Sequence, residues 1–66
     1  MKKTIEMLKN ENYYTTLYDL IEDKLEEIRK ANGWRTMTEK RYEEAMEKIA
    51  EELGADAEEL KAYYED

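Results

Sequence analysis

Ile49-Ala50-Glu51-Glu52-Leu53-Gly54-Ala55-Asp56-Ala57-Glu58-Glu59-Leu60 is the stretch that decides the fold. Ile49 and Leu53 lie one helical turn apart, on one face of a helix. That helix runs into Gly54, the residue type that enters the left-handed backbone region with no Cβ penalty. Asp56 follows as an N-cap whose carboxylate can accept from an orphan N–H at the start of a second helix. Glu59 stands three residues on, at the capping-box position. Ala50 is the small residue that lets two crossing backbones approach. The stretch therefore reads as two helices joined by a tight αα-corner.

Working outward, Tyr42, Ala45, Met46, Ile49, Ala50 and Leu53 recur at helical spacing and form a buried stripe upstream of the corner. Two starts are open for that helix. Thr36 with Glu39 makes a capping box, whereas Thr38 as N-cap lets Met37 staple onto Tyr42. Downstream of the corner, Leu60 and Tyr63 face inward, with the side taken by Tyr64 left open. Gly33, after Arg29-Lys30-Ala31-Asn32, ends an earlier helix in the same way as Gly54. Residues 13–31 carry Tyr14, Leu17, Tyr18, Ile21, Leu25 and Ile28 on one stripe, with Asn12, Thr15 or Thr16 as the N-cap. Ile5 and Leu8 suggest one or two further turns over residues 2–9, ending near Asn10-Glu11-Asn12. There is no β alternation, internal repeat or linker. The expectation is an all-α protein, a compact three- to four-helix bundle with short connections, forming one domain over residues 1–66. Its core would be Leu17, Ile21, Leu25, Ile28, Met46, Ile49, Leu53 and Leu60.

The composition narrows the chemistry. Ser, Val, Phe, Pro, Gln, His and Cys are all missing, while 44% of residues are charged. Without His or Cys the usual proton shuttle near neutral pH and the soft metal ligands are gone, so no structural zinc and no disulfide can form. No nucleophile–base–orienter set exists without Ser, Cys or His. No loop has the alternating oxygen ligands that calcium needs. Four short helices leave little room for a pocket that separates two carboxyl pKa values. We expect no enzyme activity, no cofactor and no metal site.

At 66 residues a chain of this size buries about 60% of the surface that its unfolded form exposes. Its stability should be roughly 3–10 kcal/mol from per-residue averages. A net charge of −7 opposes binding to duplex DNA or to anionic lipid. No apolar run reaches the ~20 residues of a membrane span, and the start is not signal-like. The default expectation is a cytoplasmic monomer or homodimer that meets a protein partner. The restricted alphabet and consistent caps are also those of a de novo designed helical scaffold, although a natural protein from a purine-rich genome would look similar.

Residues 46–65 resemble the helix-turn-helix corner of Cro/cI-like repressors, over about a third of the chain. Gly54 matches the turn glycine and Ala50 the small position. Ile49, Leu53, Ala55, Leu60 and Tyr63 match the apolar positions. The resemblance implies two steeply crossing helices, the second of which would read DNA. Here the residues that would face base edges and phosphates are Asp56, Ala57, Glu58 and Glu59, with only Lys61 following. Carboxylates repel phosphates, so the chain departs from the family where DNA would be read.

Three sets of side chains are candidates for contact. Asp19, Glu22, Asp23, Glu26 and Glu27 form an acidic row on the long helix, with Lys30 answering Glu26. Such a row can mimic nucleic-acid phosphates, and small phage anti-CRISPR-type inhibitors are similar in size and acidity. Arg29, Lys30, Arg35, Lys40 and Arg41 form a basic corner around Trp34. Lys40 and Arg41 sit in a helix's first turns, where cations oppose the dipole. Trp34 is expected to plug the end of the bundle behind Gly33; the alternative is a cationic loop that holds phosphate or stacks a base. The tyrosines replace Phe throughout and should sit at core edges, with at least one ring of Tyr13-Tyr14 and one of Tyr63-Tyr64 exposed. Tyr13, Tyr18, Tyr63, Tyr64 and Trp34 are the candidate partner anchors. The composite expectation is a protein-binding module or inhibitor acting by surface contact, or a designed scaffold. The alternatives are the acidic nucleic-acid mimic and a helix-turn-helix-like regulator using the basic corner at 29–41.

Overall fold

Residues 2–11 and 16–66 are described by a computed structural model, and within them the chain forms four helices. These are α1 (Ile5–Glu11), α2 (Leu17–Ala31), α3 (Glu39–Leu53) and α4 (Ala57–Glu65). Each boundary has a local cause. Thr16 is extended, and its hydroxyl accepts from the Asp19 N–H at 3.1 Å. The latest of the three candidate N-caps is therefore the one used, and α2 starts at Leu17 rather than near residue 13. Asn12, Tyr13, Tyr14 and Thr15 lie outside the described residues.

Thr38, not Thr36, starts α3, accepting from the Arg41 N–H at 3.3 Å. The Thr36 carbonyl instead accepts from the Arg41 guanidinium at 3.1 Å. Met37 and Tyr42, the staple positions on either side of this cap, are both half-buried against the core. At α4 the Asp56 carboxylate accepts from the Glu58 N–H at 2.9 Å. The bond goes to the second helical residue, so the expected box with Glu59 is not made.

Both glycines have positive φ, +69° at Gly33 and +74° at Gly54. After Gly33, the Gly33 N–H reaches the Lys30 carbonyl at 3.1 Å and the Trp34 N–H reaches that of Arg29 at 3.0 Å. After Gly54, the Gly54 N–H reaches the Glu51 carbonyl at 3.2 Å and the Ala55 N–H reaches that of Ala50 at 2.8 Å. This paired pattern is the Schellman end, which satisfies carbonyls that a helix terminus leaves orphaned.

The core draws on all four helices and the corner. Ile21, Ala45, Met46, Ile49 and Leu60 are fully enclosed, and Leu8, Leu17, Leu25, Ala50 and Ala55 are buried beside them. Ile28 and Leu53, expected inside, are half-buried and pack at its edge. They sit in the last turns of α2 and α3, where the chain turns away. The segment before α1 adds a tie that periodicity does not reveal. The Lys3 N–H donates to the Gly54 carbonyl at 2.7 Å, making an isolated parallel bridge between Lys3 and Ala55. Lys24–Glu52 at 2.6 Å joins α2 to α3. Lys61–Glu43 at 3.5 Å joins α4 to the first turns of α3, so α4 runs back antiparallel along α3.

Candidate protein-contact surface

Leu17 and Ile21 point into the core from the first turns of α2. Tyr18, about 100° round the helix from Leu17 and about 60° from Ile21, is turned toward the edge and remains 41% exposed. On α4 the buried Leu60 fixes the face that packs, and Tyr64 lies one turn further on. The Tyr64 ring stacks on Tyr18 with centroids 4.8 Å apart and planes at 22°. Tyr42, from the first turn of α3, meets the same Tyr64 ring at 6.3 Å, tilted by 32°. Three helices thus contribute one ring each to a continuous aromatic face. Such offset and tilted pairs are the favoured ring arrangements.

Carboxylates frame the hydroxyl ends. The Tyr42 hydroxyl donates to Glu65 Oε2 at 2.8 Å. Burial, then the bond to Glu65 and its charge, hold the Tyr42 hydroxyl well above the ordinary tyrosine value. Burial, then the Glu22 carboxylate and the Tyr18 hydroxyl, raise Tyr64 as well. Both groups therefore stay protonated beyond neutral pH and serve as donors, not as phenolates. Beside Tyr42 lies an open hollow of about 310 Å³ lined by Glu39, Tyr42, Glu43, Lys61 and Glu65. Burial pulls Lys61 down, but Glu58, Glu43 and Glu65 outweigh it and hold the ammonium above its ordinary value.

The structure places the candidate anchors unequally. Tyr18 and Tyr64 come together. Tyr63 is half-buried against the core, and Tyr13 lies outside the described residues. Neither Tyr63 nor Tyr64 is fully exposed, contrary to the expectation for that pair. Adjacent helical residues lie about 100° apart, so both rings can lean on the core edge from opposite sides. Trp34 is half-buried but is not among the residues packed on the core, so it is no plug. Its ring lies under the Arg41 guanidinium at 5.5 Å, and its carbonyl accepts from Arg29 Nη1 at 2.8 Å. Two of the five basic-corner cations are thus committed to the 32–38 loop. The unfavourable place of Arg41 near the start of α3 is explained by what its side chain holds. Lys30, Arg35 and Lys40 are exposed.

Asp19, Glu22, Asp23, Glu26 and Glu27 are all exposed on α2, but they are not a uniform row. Glu26 is bonded by Arg29 through both Nε, at 3.2 Å, and Nη2, so Arg29 is its hydrogen-bond partner while the charge of Lys30 adds a smaller attraction. The Arg29 bond, opposed by partial desolvation, lowers the Glu26 carboxyl. Glu22 belongs to the tyrosine face through Tyr64.

Tyr42 is the member that pattern reading missed as a contact residue, because its spacing marks it as core. Counting from the corner finds it. Tyr42 is twelve residues before Gly54 and Tyr64 ten after, so an antiparallel pair of helices brings them level. Among the described residues, no helix is long and apolar enough to cross a membrane. No protein-family model, curated protein or solved structure matches this chain. Among the described residues the protein is an all-α bundle of four helices bearing an aromatic face framed by carboxylates.

Proposed function

We propose that this protein acts by surface contact, as a small acidic protein-binding module or inhibitor that engages its partner through Tyr18, Tyr64 and Tyr42. The observation that carries this reading is the state of Tyr18. The residue is 41% exposed, yet its ring is held in a stack rather than left as a free rotor. Interfaces concentrate their energy in a few aromatic anchors, and a ring already fixed loses little entropy on binding. The five exposed carboxylates of α2 favour a second reading, the phosphate mimic, because such a row presents negative charge at helical intervals.

The test is capture of a partner from lysate by the tagged protein, followed by affinity measurement with two variants. Tyr18→Ala should weaken the captured complex about 5- to 30-fold, the equivalent of about 1–2 kcal/mol, with helical circular dichroism unchanged. Asp23→Asn with Glu27→Gln should mainly slow association and flatten its salt dependence. The reverse ranking, with Tyr18→Ala neutral and the carboxylate pair abolishing binding, would replace the aromatic reading with the mimic.

A further inference from the structure

We infer that the tyrosine face receives an arginine side chain, so that the partner is a protein or peptide segment presenting arginine. This rests on the surface-contact reading above and names the chemistry of its occupant. The carrier is the open face of Tyr18. One face of that ring is covered by Tyr64 at 4.8 Å while the residue stays 41% exposed, which leaves the side away from Tyr64 for a partner to reach. An exposed tyrosine face attracts a cation through the ring quadrupole, and a planar guanidinium can stack on it as a compact ammonium cannot.

Charge says which occupant fits. Glu22 stands one turn after Tyr18 on α2 and acts on the Tyr64 hydroxyl. At the other end of the face, the hollow beside Tyr42 sets Glu39, Glu43 and Glu65 against Lys61 alone. Lys61 is already shared between Glu43 at 3.5 Å and Glu58 at 3.8 Å. Among the described residues Glu39 makes no ion pair, and Glu65 uses Oε2 for Tyr42. Neither Tyr18 nor Tyr64 lines that hollow, so its carboxylates act on a guanidinium stacked on Tyr18 through charge rather than contact. Phosphate and nucleic acid are repelled by the same carboxylates. A second copy of this chain also carries −7, so face-to-face self-association meets like charge.

The experiment uses the full chain, isotopically labelled, titrated with a blocked Gly-Arg-Gly-Arg-Gly peptide and followed by amide chemical shifts. Matched peptides carry lysine or citrulline in place of arginine. The expected result is saturable shifts centred on Tyr18, Glu22, Tyr42, Tyr64 and Glu65, several-fold weaker binding of the lysine peptide, and none of the citrulline peptide. Tyr18→Ala, and separately Glu39→Gln with Glu43→Gln, should each weaken the arginine peptide at least about five-fold, the equivalent of about 1 kcal/mol. Shifts spread evenly over the acidic surface with arginine and lysine equal, or no binding at all, would overturn the inference. So would a concentration-dependent dimer in light scattering that Tyr18→Ala abolishes, since the face would then belong to a second copy. If the peptide fails while Tyr18→Ala still releases the captured partner, the arginine inference falls and the surface-contact reading stands. If the partner is retained by Tyr18→Ala, the reading itself falls.

Discussion

Residues 28–34, Ile-Arg-Lys-Ala-Asn-Gly-Trp, and residues 49–55, Ile-Ala-Glu-Glu-Leu-Gly-Ala, end two helices in one backbone geometry and then diverge. Each glycine is left-handed, and each helix closes with the same pair of carbonyl bonds. The isoleucine five residues before the glycine is fully buried at 49 and half-buried at 28. The residue after the glycine is the buried Ala55 in one case and the half-buried Trp34 in the other. At the second end, Ala50 and Ala55 are small enough for the next helix to fold back at once. At the first, the long Arg29 side chain occupies the place of Ala50 and reaches across to the Trp34 carbonyl and Glu26. A terminal glycine therefore sets how a helix ends. The bulk of its neighbours sets whether the chain turns tightly or loops out.

The sharpest way to break this comparison is to truncate the paired isoleucines. Ile49→Ala should destabilise by about 2–5 kcal/mol, the range for large-to-small core changes, and should leave the domain largely unfolded. Ile28→Ala should have about half that effect, because less apolar surface leaves water there. Urea denaturation followed by circular dichroism reads both, and equal losses would show that the two ends are packed alike.

The glycines come next. A Cβ built on either one meets nothing within 4 Å, so only backbone strain opposes alanine. Gly33→Ala and Gly54→Ala should each destabilise by about 1–2 kcal/mol. A clearly larger loss at 54 would place the excess in the Lys3 bridge to that corner. A gain at 54 would mean that the helix runs through the glycine and that the corner does not exist.

Smaller still is Trp34→Ala. With the ring outside the core, the loss should be about 0.5–1 kcal/mol, the scale of an exposed cation–π contact. A loss above about 3 kcal/mol would restore the plug that the structure argues against.

The least effect at neutral pH belongs to Tyr42→Phe, whose consequence is alkaline. The folded-state value of Tyr42 is raised, so its contribution is present below the unfolded tyrosine value of about 10 and is lost as pH rises beyond it. Wild-type stability should fall above about pH 10, and Tyr42→Phe should flatten that limb. Ultraviolet titration of tyrosinate in the wild type and in Tyr42→Phe should show that the transition lost in the variant lies above the ordinary tyrosine value, and a lost transition at the ordinary value would refute the burial of that hydroxyl and its bond to Glu65.

Much of the scaffold was legible because it is local. The left-handed glycines, the Asp56 cap and the stripe through Met46 and Ile49 follow from spacing and from one residue's own conformational preference, whereas Ile5 and Leu8 alone were too few to settle the first helix. Where two local signals competed, pattern reading left the choice open. Thr36 and Thr38 both offer a hydroxyl, and it is Thr38 that caps, while the Arg41 side chain holds the Thr36 carbonyl and covers Trp34. The same contact explains a charge near a helix start that looked functional from the dipole alone.

The candidate surface was half legible. Tyr18 and Tyr64 were visible as amphipathic rings too numerous for so small a core, but not their stacking, and Tyr42 was hidden by its core-like spacing. The residue types and their periods settle that the chain is helical, that it turns at Gly33 and Gly54, and that it is acidic, because each depends on a few neighbouring residues. Which rings meet depends on how three helices pack over one core. That packing places residues 18, 42 and 64 side by side and ties Lys3 to Gly54, and the folded chain gives the Glu26 hydrogen bonds to Arg29 with Lys30 acting only through its charge. These are distances between segments and choices among near-equal partners, and only the folded chain decides them.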